Sequence, residues 1–98
     1  MNPSICRAIN EHRLIELVYE WGSRTVELHA YGLNDNGHEL LRCYQISGVS
    51  ESGERHGWKL FRVDEIRRLA VLEETFSGPR HGYKRGDKAL DQQIYCQL

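Results

Sequence analysis

Arginine and lysine side chains set beside aromatic rings are the groups here that could do recognition chemistry. In the stretch GWKLFRVDEIRRLAVL, from Gly57 to Leu72, Lys59, Arg62, Arg67 and Arg68 surround Phe61 and Val63. Five Lys or Arg residues fall between Arg55 and Arg68 against Asp64 and Glu65, and four fall between Ser77 and Lys88 against Asp87 alone. Acidic residues gather earlier, at Glu11, Glu16, Glu20, Glu27, Asp35 and Glu39. A guanidinium offers a planar fork to phosphate, and a neighbouring ring gives a base a surface to stack on. The pattern therefore leaves two readings of these cations, a solvated face or a site that holds an anion. The net charge of −1 argues against coating nucleic acid or membrane through bulk charge, so such binding has to be local.

Other chemistries find little support. His12, His29, His38, His56 and His81 lack the i, i+4 spacing of a helical metal site, and no nucleophile stands in a recognisable pattern. No catalysis, cofactor or metal is expected. Cys6, Cys43 and Cys96 are an odd number with no C-x-x-C pair, and no secretory leader is read at the start. Reduced thiols and a cytoplasmic location are the expectation. No apolar run approaches the ~18–20 residues that span a bilayer, so no membrane partner is expected.

These residues need a scaffold, and 98 residues provide one core. Asn2-Pro3 can cap and start a helix, in which Ile5, Ala8, Ile9 and His12 recur at helical spacing. Strands are predicted over Leu14 to Glu20, Arg24 to Asn34, His38 to Gly48, Gly57 to Val63 and Ile66 to Glu74. Asn34-Asp35-Asn36-Gly37 is a hairpin turn, a polar loop covers Val49 to Arg55, and Asp64-Glu65 starts one helical turn. On the second strand, Val26, Leu28 and Ala30 share one face by alternation; Thr25, Glu27, His29 and Tyr31 share the other. Residues 1–75 thus read as one β domain and 76–98 as a basic loop with a tail. In that tail Asp87 can cap a short helix bearing Leu90, Ile94 and Leu98. Small sheets of this kind hide their edges by curling, so the expected fold is mainly β: a five-stranded antiparallel barrel with an N-terminal helix and a C-terminal helical tail.

Three segments also carry a family likeness. R-T-V-E (Arg24 to Glu27), G-H-E-L-L-R-C-Y (Gly37 to Tyr44) and F-R-V-D-E-I (Phe61 to Ile66) together resemble the WYL domain, over roughly Ile5 to Leu72. Two positions depart from it: Glu39-Leu40-Leu41 stands where the naming Trp-Tyr-Leu belongs, and Glu65 replaces the second arginine of F-R-x-D-R-I. The resemblance implies an Sm-like small barrel and a non-enzymatic sensing role linked to transcription or defence regulation in bacteria. WYL domains usually follow a winged-helix DNA-binding domain, and this chain is read as a stand-alone member. The implied ligand is single-stranded nucleic acid or a nucleotide-like molecule. Carried onto this sequence, the implied binding groove uses Arg24, Arg42, Tyr44 and Arg62, with His29 and Tyr31 beside them by the period of two.

That reading requires the arginines of separate strands to converge on one patch short of carboxylates. The competing readings are that Arg62 pairs with Glu27 or Asp64, that Trp21 and Trp58 only pack, and that the Arg80 to Lys88 arm is a solvated loop. In the sensing reading the domain passes its occupancy on through association with a regulatory partner protein. A second functional reading is a purely structural interaction module, a homodimer made by exchange of the amphipathic tail.

Overall fold

The computed structural model describes residues 1–50 and 53–98; part of the predicted loop over 49–55 lies outside them. Helix α1 spans Pro3–Asn10. The Asn2 side chain accepts a hydrogen bond from Ser4 N at 3.0 Å, and Pro3 occupies the first turn. Ile5, Ala8 and Ile9 form its buried stripe. The chain leaves the helix through His12, which takes a positive φ of 54° in the absence of a glycine.

Among the described residues six strands follow: β1 (Arg13–Tyr19), β2 (Gly22–Leu33), β3 (Glu39–Gly48), β4 (Gly57–Arg62), β5 (Ile66–Thr75) and β6 (Gln93–Gln97), with one 3-10 turn at Val63–Glu65. The sheet is antiparallel in the order β4-β3-β2-β1-β5. The 12-residue β2 organises it. One of its sides pairs with β3 along almost its whole length, from Arg24↔Gly48 to Leu33↔Glu39. Its other side is shared, β1 taking Gly22 to Glu27 and β6 taking Ala30 to Leu33. Gly32 makes the second pairing possible, because a Cβ there would lie 2.3 Å from the Gln93 carbonyl oxygen. Gly48 serves the first: its φ is +109°, and a Cβ would meet Ser23 O at 2.3 Å.

The sheet is strongly curled. β4 and β5 are its outermost strands, which a flat sheet would hold about 19 Å apart at ~4.8 Å per strand. Yet three residues join them, and a 3-10 turn rises only ~2 Å per residue. Curling alone reconciles these lengths. The predicted closed barrel is nevertheless not formed: β4 pairs with β3, β5 pairs with β1, and among the described residues no ladder joins the two. The Tyr19 hydroxyl bridges the gap, donating to Glu65 Oε1 at 2.6 Å and accepting from Arg62 N.

Inside the curl lies the main core, built from Ile5, Ala8 and Ile9 of α1 and Ile15, Leu17, Val26, Leu28, Tyr31, Leu41, Cys43 and Phe61 of the strands. A smaller cluster of Ala30, Leu40 and Leu90 packs on the opposite face. Among the described residues, no helix is long and apolar enough to cross a membrane.

Two further expectations are corrected. The C-terminal tail is a strand, not a helix, since Gln93–Gln97 pairs with β2. The cysteines are not all thiols: Cys6 of α1 and Cys96 of β6 form a disulfide with Cα atoms 5.7 Å apart, which leaves Cys43 free and buried. Burial pushes the Cys43 thiol pKa well above its ordinary value.

Candidate nucleotide-binding cleft

The geometry of the outer face starts from one bulge. The β2–β3 ladder steps from Leu28↔Cys43 to Ala30↔Arg42, leaving His29 unpaired. Beyond that extra residue the alternation inverts. Leu28 and Tyr31 enter the main core, whereas His29 joins Trp58 and Tyr83, and Ala30 joins Leu40 and Leu90. His29 and Tyr31 therefore do not share a face, contrary to the period-two expectation.

Both are also sealed from solvent, with 0% exposure each. Tyr31 hydrogen-bonds Glu39 through its hydroxyl, which accepts from Asn2 N at 2.9 Å. His29 holds two partners at once. Its Nε2 accepts the Arg80 backbone N–H at 3.1 Å, so its proton sits on Nδ1, 3.0 Å from the Glu27 carbonyl oxygen. Burial, the largest cause, lowers its pKa below the ordinary 6.5, and the Arg80 charge adds to that. The unfolded chain thus takes up this proton before the folded one. Stability is fully present above pH 6.5 and falls as pH drops below it, by at most ~1.4 kcal/mol per pH unit for one proton. Urea midpoints at pH 7.5 and 5.5 measure this, and His29→Gln is expected to flatten the dependence. An unchanged slope in that variant excludes His29 as the source.

The three arginines carried over from the family likeness do not converge. Arg24 is 3% exposed and lies over Tyr19 and Phe61, on the core side of the sheet, with its guanidinium carbon 5.5 and 5.1 Å from their ring centroids. It donates to Gln45 Oε1 and to Glu20 Oε1, each at 3.3 Å. Its buried Nε finds no acceptor among the described residues. Arg62, at the end of β4, is held by Asp64 at 2.8 Å and approaches Glu65 at 3.8 Å. Arg42 lies on the opposite face from Arg24, clamped to Asp87 at 2.6 and 3.3 Å. Each is matched by a carboxylate. Tyr44 stays near Arg42, but the Arg80 guanidinium covers its ring at 4.4 Å.

What does assemble is a different constellation. The segment from Phe76 to Gln92 runs back over the outer face, fixed at several points. Phe76 is buried and stacks on His12 at 5.3 Å. The Arg80 guanidinium donates to both oxygens of the buried Glu27, at 2.8 and 3.1 Å. Tyr83 donates to the His29 carbonyl oxygen at 3.2 Å, Gly86 N donates to Gln97 Oε1 at 2.8 Å, and Gln92 N donates to Leu33 O at 3.0 Å. So the arm is a docked strap and not a solvated loop.

Between this strap and the sheet opens a cleft of about 460 Å³, lined by Arg42, Trp58, Gly82, Tyr83, Lys84, Arg85, Gly86, Asp87 and Lys88. Trp58 and Tyr83 lie nearly parallel, 24° apart with centroids separated by 6.1 Å, and Tyr44 meets Trp58 edge-on at 5.4 Å. Lys84 and Lys88 are exposed and have no ion pair among the described residues. Arg85 points its Nε at Leu98 O, 3.1 Å away. Asp87 is the acid present; burial raises its pKa, but hydrogen bonds from Arg42 and from Ala89 N hold it below the ordinary carboxylate value. It therefore stays ionised and anchors Arg42. Among the described residues no group of His, Cys, Asp and Glu side chains is arranged to hold a metal ion. Compared with family models, with curated proteins and with solved structures, the chain matches none.

Of the predicted site residues, then, Arg42 lines the cleft, Tyr44 and His29 support its wall, and Arg24, Tyr31 and Arg62 lie elsewhere. Trp58, Tyr83, Lys84, Arg85 and Lys88 were missed as a unit. Their signal was present as the cation run from Arg80 to Lys88, but nothing local says which sheet face such a run will cover.

Proposed function

We propose that this chain is a non-enzymatic, WYL-type sensing domain that binds a nucleotide-like anion, or the end of a single strand of nucleic acid, in the cleft beneath its strap. We read the curled sheet as an Sm-like barrel left open on one side. The observation that carries the proposal is the pairing of aromatic surface and unneutralised cations in one recess: Trp58 and Tyr83 beside Lys84 and Lys88. Rings of this kind stack bases with little regard to sequence, and exposed ammonium groups draw in phosphate. The size of the cleft, about 460 Å³, falls in the range of small-ligand sites and favours a compact ligand over a long strand. The reading as a tail-exchanged dimer has less support, because β6 lies on its own chain's β2 and Cys96 is bridged to Cys6 of the same chain.

The test uses the oxidised full chain and a short labelled oligothymidylate, with thymidine diphosphate as competitor, at low salt. Lys84→Ala/Lys88→Ala is expected to weaken binding at least tenfold and to reduce the dependence of affinity on salt, about one unit of slope for each phosphate that is no longer neutralised. Trp58→Ala is expected to weaken binding with the salt slope unchanged. Affinity of the double variant equal to that of the parent chain would sink the proposal.

A further inference from the structure

Strand β5, Ile66–Thr75, closes one side of the sheet and pairs only with β1, so among the described residues its outer row of peptide groups has no strand beside it. At ten residues it is long for an edge, and it contains no proline. Soluble proteins usually interrupt such edges with a charge near the middle. Here the middle, Leu69-Ala70-Val71-Leu72, is uncharged and Val71 is 38% exposed. The charges stand at the two ends and are of opposite sign: Arg67-Arg68 at the start, Glu73-Glu74 at the finish. All four are exposed, and none makes an ion pair among the described residues.

This pattern is self-complementary under a two-fold axis. The ladder with β1 is unbroken from Val18↔Arg68 to Ile15↔Val71, so alternate peptide groups of that segment face outward. In a symmetric antiparallel pair, a residue can oppose only a residue whose peptide groups face the same way. The axis must therefore pass through a residue, not between two. Bulges flank that segment, at Arg67 and over residues 72–74, so the pairing is fixed only through 68–71. Centred on Ala70 or Val71, it brings the arginine end of each copy to the glutamate end of the other. Both registers join unlike charges and bring the apolar middles together. Parallel addition stacks arginine on arginine and glutamate on glutamate.

We infer that β5 is a homodimerisation edge, on which a second copy of this chain adds antiparallel to give one sheet continuous across both protomers. Among the described residues none of β5 lines the cleft, so changes along this edge leave the cleft's lining intact. Sedimentation velocity of the full oxidised chain over a concentration series is the test. The parent protein is expected to show a monomer–dimer equilibrium. Arg67→Glu/Arg68→Glu is expected to raise the dimer dissociation constant at least tenfold, as is Glu73→Arg/Glu74→Arg. An equimolar mixture of the two charge variants is expected to regain association, because each supplies the sign the other lacks. These side chains are exposed, and unchanged far-ultraviolet dichroism checks that the variants fold. A parent chain that stays monomeric at several hundred micromolar, or variants that associate as the parent does, would overturn the inference; mixing without recovery would overturn the antiparallel register.

Discussion

Replacing Cys6 and Cys96 by serine is expected to destabilise the protein by about 4–5 kcal/mol, the largest effect expected from opening any one cross-link or ion pair of this fold. The bridge joins residues 90 apart in sequence, nearly the whole chain. Loop-closure entropy grows with the logarithm of the enclosed length, and a loop of this size gives about 4–5 kcal/mol at 25 °C. A domain of this length is typically stable by ~5–15 kcal/mol in total, so the loss is comparable with the whole at the lower end. The bridge also ties α1 to β6, hence to the strap that roofs the cleft. Urea titrations with and without reductant measure the difference, and ligand affinity is expected to fall together with stability. Thiol titration of the denatured, unreduced protein should return one free group, Cys43; three would refute the cross-link.

Arg80→Ala is expected to cost about 2–3 kcal/mol and to release the strap. Glu27 is 5% exposed and both its oxygens are engaged by Arg80, so truncation strands a carboxylate in a largely apolar setting. Breaking one partner of a fully buried pair costs ~3–5 kcal/mol; the Arg80 side chain is 45% exposed, which moderates the figure. The neutral isostere isolates the electrostatic part. On a Glu27→Gln background the same truncation should cost at least ~1 kcal/mol less, because no charge is left unpaired. Simple additivity of the two changes would show that Arg80 acts only through its contact with Tyr44. Hydrogen exchange of the amides from Arg80 to Leu90 should accelerate in the single variant.

The scaffold was mostly legible in the sequence. Asn2-Pro3, the alternation in LIELVYE and the Asn34 to Gly37 turn are local signals, and the helix and first five strands lie within a residue or two of where they were expected. The tail misled because Leu90, Ile94 and Leu98 satisfy a helical period while Ile94, Tyr95 and Cys96 are equally at home in a strand. The free side of β2 beyond Glu27, opened by Gly32, decided between them, and that is a long-range fact. Barrel closure failed for a similar reason: whether β4 and β5 meet depends on register, which composition does not encode.

The candidate site was less legible. A single bulge at His29 reverses which side each later residue of β2 faces, so correct strand assignment still gave a wrong face for Tyr31. The arginines were drawn to nearby acids, Arg24 to Glu20 and Arg62 to Asp64, while Arg42 found Asp87 45 residues away. Cation runs in a sequence show charge. Only the folded chain shows which of those charges remain unmatched.

The bridge between α1 and β6 has a mechanical consequence as well. Tension applied to the chain on either side of the bridge enters at Cys6, crosses the sulfur–sulfur bond, and leaves at Cys96. Everything between lies off the load path. The sheet, strap and cleft of the oxidised protein are thus shielded from stretching, whereas the reduced protein would carry the same pull through β6 and its ladder to β2.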